Sequence, residues 1–176
     1  MKRTNKEGDY MKNKYYNIIF PIWLLILLPL TWIVVLPANF LIDSLVLIIT
    51  MKYLHVETIK THWKSCILKV WGFGFLSDIL ASLMLMFLPD FFLSILPDQI
   101  HYQLLTSVQY NPLESIWAFL IVTAFVIIAG VMIYFFNLKY SFKKLKLDPL
   151  MKRKIALSLA IFTAPYLFYL PTMWFI

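Results

Sequence analysis

Two aspartates lie inside apolar stretches of this chain, and they are the residues best placed to do chemistry. Asp78 falls in the middle of the run 70–88, and Asp43 falls in the longer apolar run 17–54. As a helix, 70–88 would be about 28 Å long, which matches the hydrocarbon core of a bilayer. An ionised carboxylate at that depth costs several kcal/mol, and no Lys or Arg lies in the interior of the span to neutralise it. Asp78 is therefore expected to be protonated, to hold a cation or to accept hydrogen bonds from neighbouring groups.

Other polar side chains accompany the two aspartates. On a helix, Gly74, Asp78 and Ser82 stack at four-residue intervals, so one face of the run is small and polar while the opposite face can contact lipid. We predict a site for a small solute or cation with Asp78 at its centre and Asn39 and Asp43 at its outer mouth. The full candidate set is Asn39, Asp43, Thr50, Ser77, Asp78 and Ser82. The alternative is that Asp78 is a neutral carboxyl joining helices by hydrogen bonds and that Asp43 is simply hydrated.

A second group with chemical potential follows the apolar run: His55, Glu57, His62 and Cys66. His62 and Cys66 are four residues apart on a helix, where they could share a metal or act as a base and thiol. Metal sites usually need three or four ligands, and the His-Glu-x-x-His motif of membrane zinc proteases is absent. An ordinary solvated segment is the favoured interpretation, and neither an enzyme nor a cofactor is predicted.

Composition sets the class of protein. The chain has 176 residues, of which 61% are hydrophobic and 14% charged, and its mean hydropathy is +0.77. Soluble domains are about 45–50% apolar and about 25% charged. The net charge is +7, but the basic residues lie between apolar runs, so they indicate membrane topology and not a nucleic-acid partner. We therefore predict an all-α, polytopic integral membrane protein of the bacterial cytoplasmic membrane.

The lengths of the apolar runs and the positions of helix-breaking residues divide the chain into elements. Residues 1–16 are predicted to form a basic cytoplasmic tail, and 17–176 a single transmembrane domain. As one helix, 17–54 would be about 57 Å long, nearly twice the bilayer core, so a break is predicted at Pro37-Ala38-Asn39 with Asn39 capping the next helix. The predicted spans are 18–36, 40–54, 70–88, 113–136 and 155–174, with an outer interfacial loop over 89–112.

Proline and cap residues set further boundaries. The third span is expected to end at Pro89, and Asn111-Pro112 and Asp148-Pro149 are typical helix starts with a cap and a proline at the first position. In the fifth span, Ala156, Ala160 and Ala164 recur every four residues as a packing seam, and Pro165 predicts a kink.

The basic residues test this count of spans. They fall before the first span, between the second and third, and between the fourth and fifth, so all lie on one side if there are five spans. By the positive-inside rule that side is the cytoplasm. The N-terminus is then inside and the C-terminus outside.

The segments Pro37 to Ser44 and Trp71 to Asp78 resemble uncharacterised small multispan proteins of Gram-positive bacteria. The Gly-Phe-x-x-Asp element, Gly74 to Asp78, is also similar to one span of MreD-type rod-shape proteins and of substrate-binding subunits of energy-coupling transporters. The resemblance covers about a tenth of the chain and implies no activity or site residue.

Two functions are therefore expected from the sequence. The first is a non-enzymatic membrane protein that binds or transports a small solute or cation at the intramembrane polar site. The second is a structural or assembly subunit whose small-residue faces dock a membrane-protein partner or a second copy. The lipid bilayer is a partner in both.

Overall fold

The computed structural model describes residues 32–171, and within that range the fold is all-α. Five α-helices follow in order: α1 (Trp32–Tyr53), α2 (Ile59–Leu93), α3 (Asp98–Tyr110), α4 (Ile116–Phe136) and α5 (Pro149–Phe162). A 3₁₀ turn (Pro112–Glu114) precedes α4, a π-helical turn (Asn137–Ser141) extends it, and a second 3₁₀ turn (Tyr166–Tyr169) follows α5. Three helical segments are long and apolar enough to cross a membrane: Trp32–Tyr53, Ile59–Leu93 and Ile116–Ser141.

The break predicted at Pro37-Ala38-Asn39 is wrong, because α1 passes through all three residues without interruption. An interior proline removes one helical hydrogen bond, but apolar helices tolerate this where a neighbour compensates. The carbonyl that loses its donor is that of Ile33, four residues before Pro37. Beside the proline, α1 also contacts α2, where the Trp71 indole donates to the Leu36 carbonyl at 2.9 Å. Asn39 is therefore inside a helix and caps nothing, and the predicted first span, 18–36, lies largely outside the described residues.

Two further boundaries differ from prediction. The third predicted span was expected to end at Pro89, yet α2 continues to Leu93 with Pro89 buried inside it. The fifth predicted span, 155–174, is not one helix, because α5 ends at Phe162 and Thr163 no longer has helical backbone angles. Proline disfavours helix in the residue before it, so Pro165 accounts for an end just upstream in place of a kink.

The cap predicted at Asp148 is confirmed, whereas the one predicted at Asn111 belongs to a different element. The Asp148 side chain accepts from the Leu150 backbone N–H at 2.9 Å, with Pro149 as the first residue of α5. The Asn111 side chain accepts from Leu113 at 3.3 Å, although it caps the 3₁₀ turn and not α4 itself. In the outer segment predicted over 89–112, the chain forms α3.

Two apolar clusters build the interior, one at each end of the helices. The first joins the C-terminal part of α1, the start of α2, the end of α4 and the start of α5 around Met51, Val70 and Ile155. The second joins the rest of α2 and α4 to α3 and the chain after α5 around Leu85, Val122 and Phe168. Every Lys and Arg within 32–171 lies on the segments that meet at the first end. We call it the basic end.

Small residues set the approach of α4 to α5. A Cβ placed on Gly130 would be 3.1 Å from the Ala160 backbone oxygen, so the two backbones nearly touch there. Ala156, Ala160 and Ala164 are all buried, as expected of the predicted seam. The alanine seam of α5 therefore packs against other helices of the same chain.

Candidate functional site

A cavity of about 360 Å³ lies between the middle of α1, the middle of α2 and the chain that follows α5. We call it the carboxylate cavity, because Asp43 and Asp78 both line it, with Asn39 and Thr163 as further polar residues. Most of the remaining lining is apolar. Two acidic groups and two uncharged polar groups thus face a space enclosed by hydrocarbon side chains.

Both carboxylates lie far from the helix ends. Asp43 is near the midpoint of α1, about 15 Å along the axis from either end, and Asp78 is near the midpoint of α2. Their side chains are only 4% and 6% exposed, respectively. The predicted helix start one turn before Asp43 is wrong, because α1 begins at Trp32.

Glycine brings Asp43 close to α2. A Cβ on Gly74 would lie 3.3 Å from Asp43 Oδ2, so the absence of a side chain at this position makes room for the carboxylate. Asp78 is one helical turn further along α2 and therefore shares the face of Gly74. This spacing carries Asp43 and Asp78 to the same cavity.

Thr163 contributes a hydroxyl from the chain after α5. Its side chain lines the same cavity as Asp43, and its Oγ1 donates to the Leu159 backbone oxygen at 2.9 Å. A threonine hydroxyl has one proton, so with that proton on Leu159 its lone pairs are left to accept. Towards the cavity, Thr163 can therefore serve a protonated carboxyl or a bound cation.

The Asp78 carboxyl is incompletely satisfied. Its Oδ1 is buried and has no hydrogen-bond partner among the described residues. Such an oxygen normally finds a partner, since leaving it without one costs about 1–3 kcal/mol and more if it is charged.

No basic side chain lines this cavity. Within residues 32–171 the one ion pair between side chains joins His101 and Asp90, with His101 Nε2 at 3.0 Å from Asp90 Oδ1, on α3 and the end of α2. Two carboxylates confined together without a counter-ion repel each other strongly in an apolar setting. The pair must be neutralised by protons, by a cation, or by one of each.

Three of the six predicted site residues meet in the cavity, namely Asn39, Asp43 and Asp78. The other three do not line it. Ser77 donates to the Phe73 backbone oxygen of its own helix at 2.8 Å, Thr50 and Ser158 are hydrogen-bonded at 2.6 Å, and the Ser82 hydroxyl is buried without a partner in the described part of the chain. Helical stacking placed Ser82 on the correct face but one turn too far along.

Thr163 and Gly74 are the residues that sequence reasoning did not assign to the site. Gly74 was noted as part of the small face, without a role beside Asp43. Thr163 was hidden inside a predicted span, although a hydroxyl two residues before Pro165 is a signal for an irregular helix end with free polar groups.

The second predicted group separates in the structure. Cys66 is 1% exposed and belongs to the apolar cluster of the basic end. His62 instead lines a surface cavity with Glu57 and Lys144, which Cys66 does not line. In residues 32–171 no three His, Cys, Asp or Glu side chains are grouped so that they could hold a metal ion.

No family model, no curated protein and no solved structure matches this chain. The class is therefore defined by the described residues alone, as an all-α protein with three helical segments apolar enough to cross a membrane and a pair of buried carboxylates on two of them.

Proposed function

We propose that this protein is a polytopic membrane protein that binds a small cation in the carboxylate cavity and exchanges it for protons. The N-terminus and the basic end lie in the cytoplasm, and the protein is non-enzymatic. Asp43 and Asp78 supply the negative charge, and Asn39 and Thr163 supply uncharged oxygens that replace part of the ion's hydration shell.

Membrane residence is supported by length, composition and charge. Three helical segments are long and apolar enough to span a bilayer, and large side chains on them such as Leu41, Phe87 and Ile127 are about 60% exposed. Water would make such exposure costly, whereas lipid does not. The collection of every described Lys and Arg at one end favours that end as the cytoplasmic one.

The observation that carries the proposal is the unpartnered Asp78 Oδ1 in a cavity shared with Asp43. Acidic residues in membrane helices are rare and mark ion or proton pathways, because burying them serves no packing purpose. A pair without a basic partner binds either a cation or protons, and competition between the two is the chemistry of exchange.

The size of the cavity limits the ligand. A volume of about 360 Å³ exceeds what a bare metal ion fills, so an ion held there would keep part of its hydration shell or be an organic cation. A monovalent ion with retained water and a small organic ammonium both fit the charge and the space. Their shared property is a single positive charge.

The test uses proteoliposomes loaded with a pH-sensitive dye. An outward gradient of sodium chloride or of tetramethylammonium chloride is imposed, and proton entry is followed. The quaternary ammonium carries no proton, so it cannot leave as a neutral amine and acidify the lumen without the protein. Wild-type protein should take up protons at least tenfold faster than protein-free liposomes with one of the two cations. Asp78→Asn keeps the shape of the side chain and removes its charge, so it should abolish the response.

Ser82→Ala is the matched control, because Ser82 lies one turn from Asp78 on the same helix but outside the cavity. It should retain wild-type exchange. Equal rates for wild type and Asp78→Asn, or no uptake above protein-free liposomes with either cation, would contradict the proposal.

The assembly-subunit alternative has weaker support. It was based on small-residue faces, but Gly74, Ala81, Ala156 and Ala160 are all buried within the chain itself. These faces bind neighbouring helices of the same protein, so they do not offer a docking surface to another.

A further inference from the structure

A second cavity, of about 660 Å³, forms a groove between α4 and α5. We call it the α4–α5 groove. Its lining is apolar or aromatic except at one end, where Arg153 and Lys154 contribute the charged side chains. Along it, Ile127, Val131 and Leu157 are about half exposed, so the groove is open at the protein surface.

The groove follows from the close contact between the two helices. Gly130 of α4 lies against the Ala160 backbone, and Ala164 continues the small surface on the other side. Where helices meet through residues without bulk, larger side chains on either flank form walls and leave a furrow between them. Small residues at the contact and larger side chains beside it therefore make a concave apolar surface.

The basic end of the groove has no internal counter-ion. Among the described residues, neither Arg153 nor Lys154 forms an ion pair with a carboxylate. Both belong to the first turns of α5, at the end of the fold where the other lysines are collected. Their charge is thus available to an anion that enters the groove from that end.

The length of the groove and the positive charge at its end together suit one kind of ligand. Along α5, the distance from Lys154 to Ile161 is about 10 Å by helical rise, so this helix can line the upper part of one acyl chain when the phosphate is level with Arg153. A lipid with an anionic headgroup has this combination of a negative phosphate and a long apolar tail. Soluble phosphates lack the tail, and a zwitterionic headgroup carries a compensating positive charge.

We propose that the α4–α5 groove binds one anionic phospholipid of the cytoplasmic leaflet, with its phosphate on Arg153 and Lys154 and an acyl chain along Leu157 and Ile161. The site goes beyond the proposed cation exchange and uses none of its charged groups. The groove shares Ala164 and Tyr166 with the carboxylate cavity, but neither Asp43 nor Asp78 lines it.

Native mass spectrometry of the full chain in detergent tests the site. The protein is delipidated and titrated with phosphatidylglycerol or with phosphatidylcholine of the same acyl chains. A single phosphatidylglycerol adduct should form at a concentration at least fivefold lower than the phosphatidylcholine adduct. Glycerol phosphate, which has the charge without the chain, should not displace it at equal concentration.

Two variants separate charge from shape. Arg153→Gln with Lys154→Gln should remove the preference for phosphatidylglycerol, whereas Leu157→Trp should fill the groove and weaken both lipids. Lys143→Gln with Lys144→Gln is the matched control, because these lysines belong to the same basic connection but do not line the groove. It should behave as the wild type.

Three results would overturn the proposal. One is equal binding of the two lipids by wild-type protein, and another is an unchanged lipid preference in the Arg153 and Lys154 double variant. The third is a second protein chain retained in place of lipid and released by Leu157→Trp. Circular dichroism of each variant confirms that the helices are intact, so a loss of adduct cannot be due to unfolding.

Discussion

The carboxylate of Asp43 rests against the bare backbone of Gly74, with Oδ2 at 3.3 Å and Oδ1 at 3.9 Å from the place where a side chain on Gly74 would begin. This contact joins the middle of α1 to the middle of α2. It also fixes where one of the two acids of the cavity points, since any displacement of the carboxylate changes its position relative to Asp78.

Gly74→Ala should therefore shift Asp43 by a few tenths of an ångström and weaken cation binding about tenfold, equivalent to ~1.4 kcal/mol. Ala has a higher helix propensity than Gly, so without this contact the variant would gain about 0.8–1 kcal/mol of stability. Isothermal titration with the exchanged cation measures the affinity, and thermal unfolding in detergent measures the stability.

Gly72→Ala is the control on the same helix, because nothing lies within 4 Å of a Cβ at that position. It should raise the unfolding temperature slightly and leave the affinity unchanged. If Gly72→Ala and Gly74→Ala have the same affinity and the same stability, the contact between Asp43 and α2 affects neither cation binding nor folding.

The sequence predicted which apolar segments are helical more reliably than where each helix ends. Apolar length, the caps at Asn111 and Asp148, and the alanine seam all have local physical causes, so they were predictable. The end of α5 at Phe162 also has a local cause, Pro165, which was interpreted as a kink. The continuation of α1 through Pro37 instead occurs where α1 packs against α2, with the Trp71 indole donating to the Leu36 carbonyl. Such effects of tertiary contact are not encoded in the spacing of apolar residues.

The site was predictable for the same reason and to the same extent. An acid within an apolar run is costly wherever it lies, so Asp43 and Asp78 could be identified without coordinates. Which neighbours face them depends on how the helices are aligned with one another. Asn39 reached the cavity because α1 is continuous, Thr163 reached it because α5 ends early, and Ser82 did not reach it because the cavity closes one turn before.

Gly130→Ala tests the contact between α4 and α5. The new Cβ would lie 3.1 Å from the Ala160 backbone oxygen, and a backbone cannot rotate away as a side chain can. We expect a destabilisation of about 1–3 kcal/mol, typical of overpacking, measured as a lower midpoint of unfolding in detergent. Gly72→Ala again provides the comparison, and an equal or higher midpoint for Gly130→Ala would contradict the close approach.

The hydrogen bond between Thr50 and Ser158 tests the packing of α1 against α5. Their hydroxyl oxygens are 2.6 Å apart although the residues are distant in sequence. Thr50→Val, Ser158→Ala and the double variant form a cycle whose coupling free energy should be about 0.6 kcal/mol, the average for hydrogen bonds between membrane helices. A coupling free energy of zero would mean that the hydroxyls do not stabilise this pair of helices, in which case Thr50 acts neither in the cavity nor in the packing.

The side of the membrane on which each segment lies can be measured by cysteine labelling. Cys66 is the only cysteine of the chain and is buried. A Cys66→Ser variant therefore has no thiol of its own, and each introduced cysteine can be labelled alone. Gln99→Cys on α3 and Lys143→Cys after α4 are at opposite ends of the fold, and both positions are exposed. In intact cells an impermeant maleimide should label Gln99→Cys, whereas Lys143→Cys should react only after permeabilisation. The opposite pattern would place the basic end outside.

Lys6→Cys in the N-terminal tail then decides the number of crossings. Because α1 is continuous through Pro37, a chain that crosses once before Lys52 would carry its tail outside, opposite to the basic end. Two crossings before Lys52 would instead keep Lys6 and Lys143 on the same side. We expect protection of Lys6→Cys in intact cells, because the tail is strongly basic and the positive-inside rule opposes its export. Labelling of Lys6→Cys without permeabilisation would reduce the count of spans by one and leave α1 as the first.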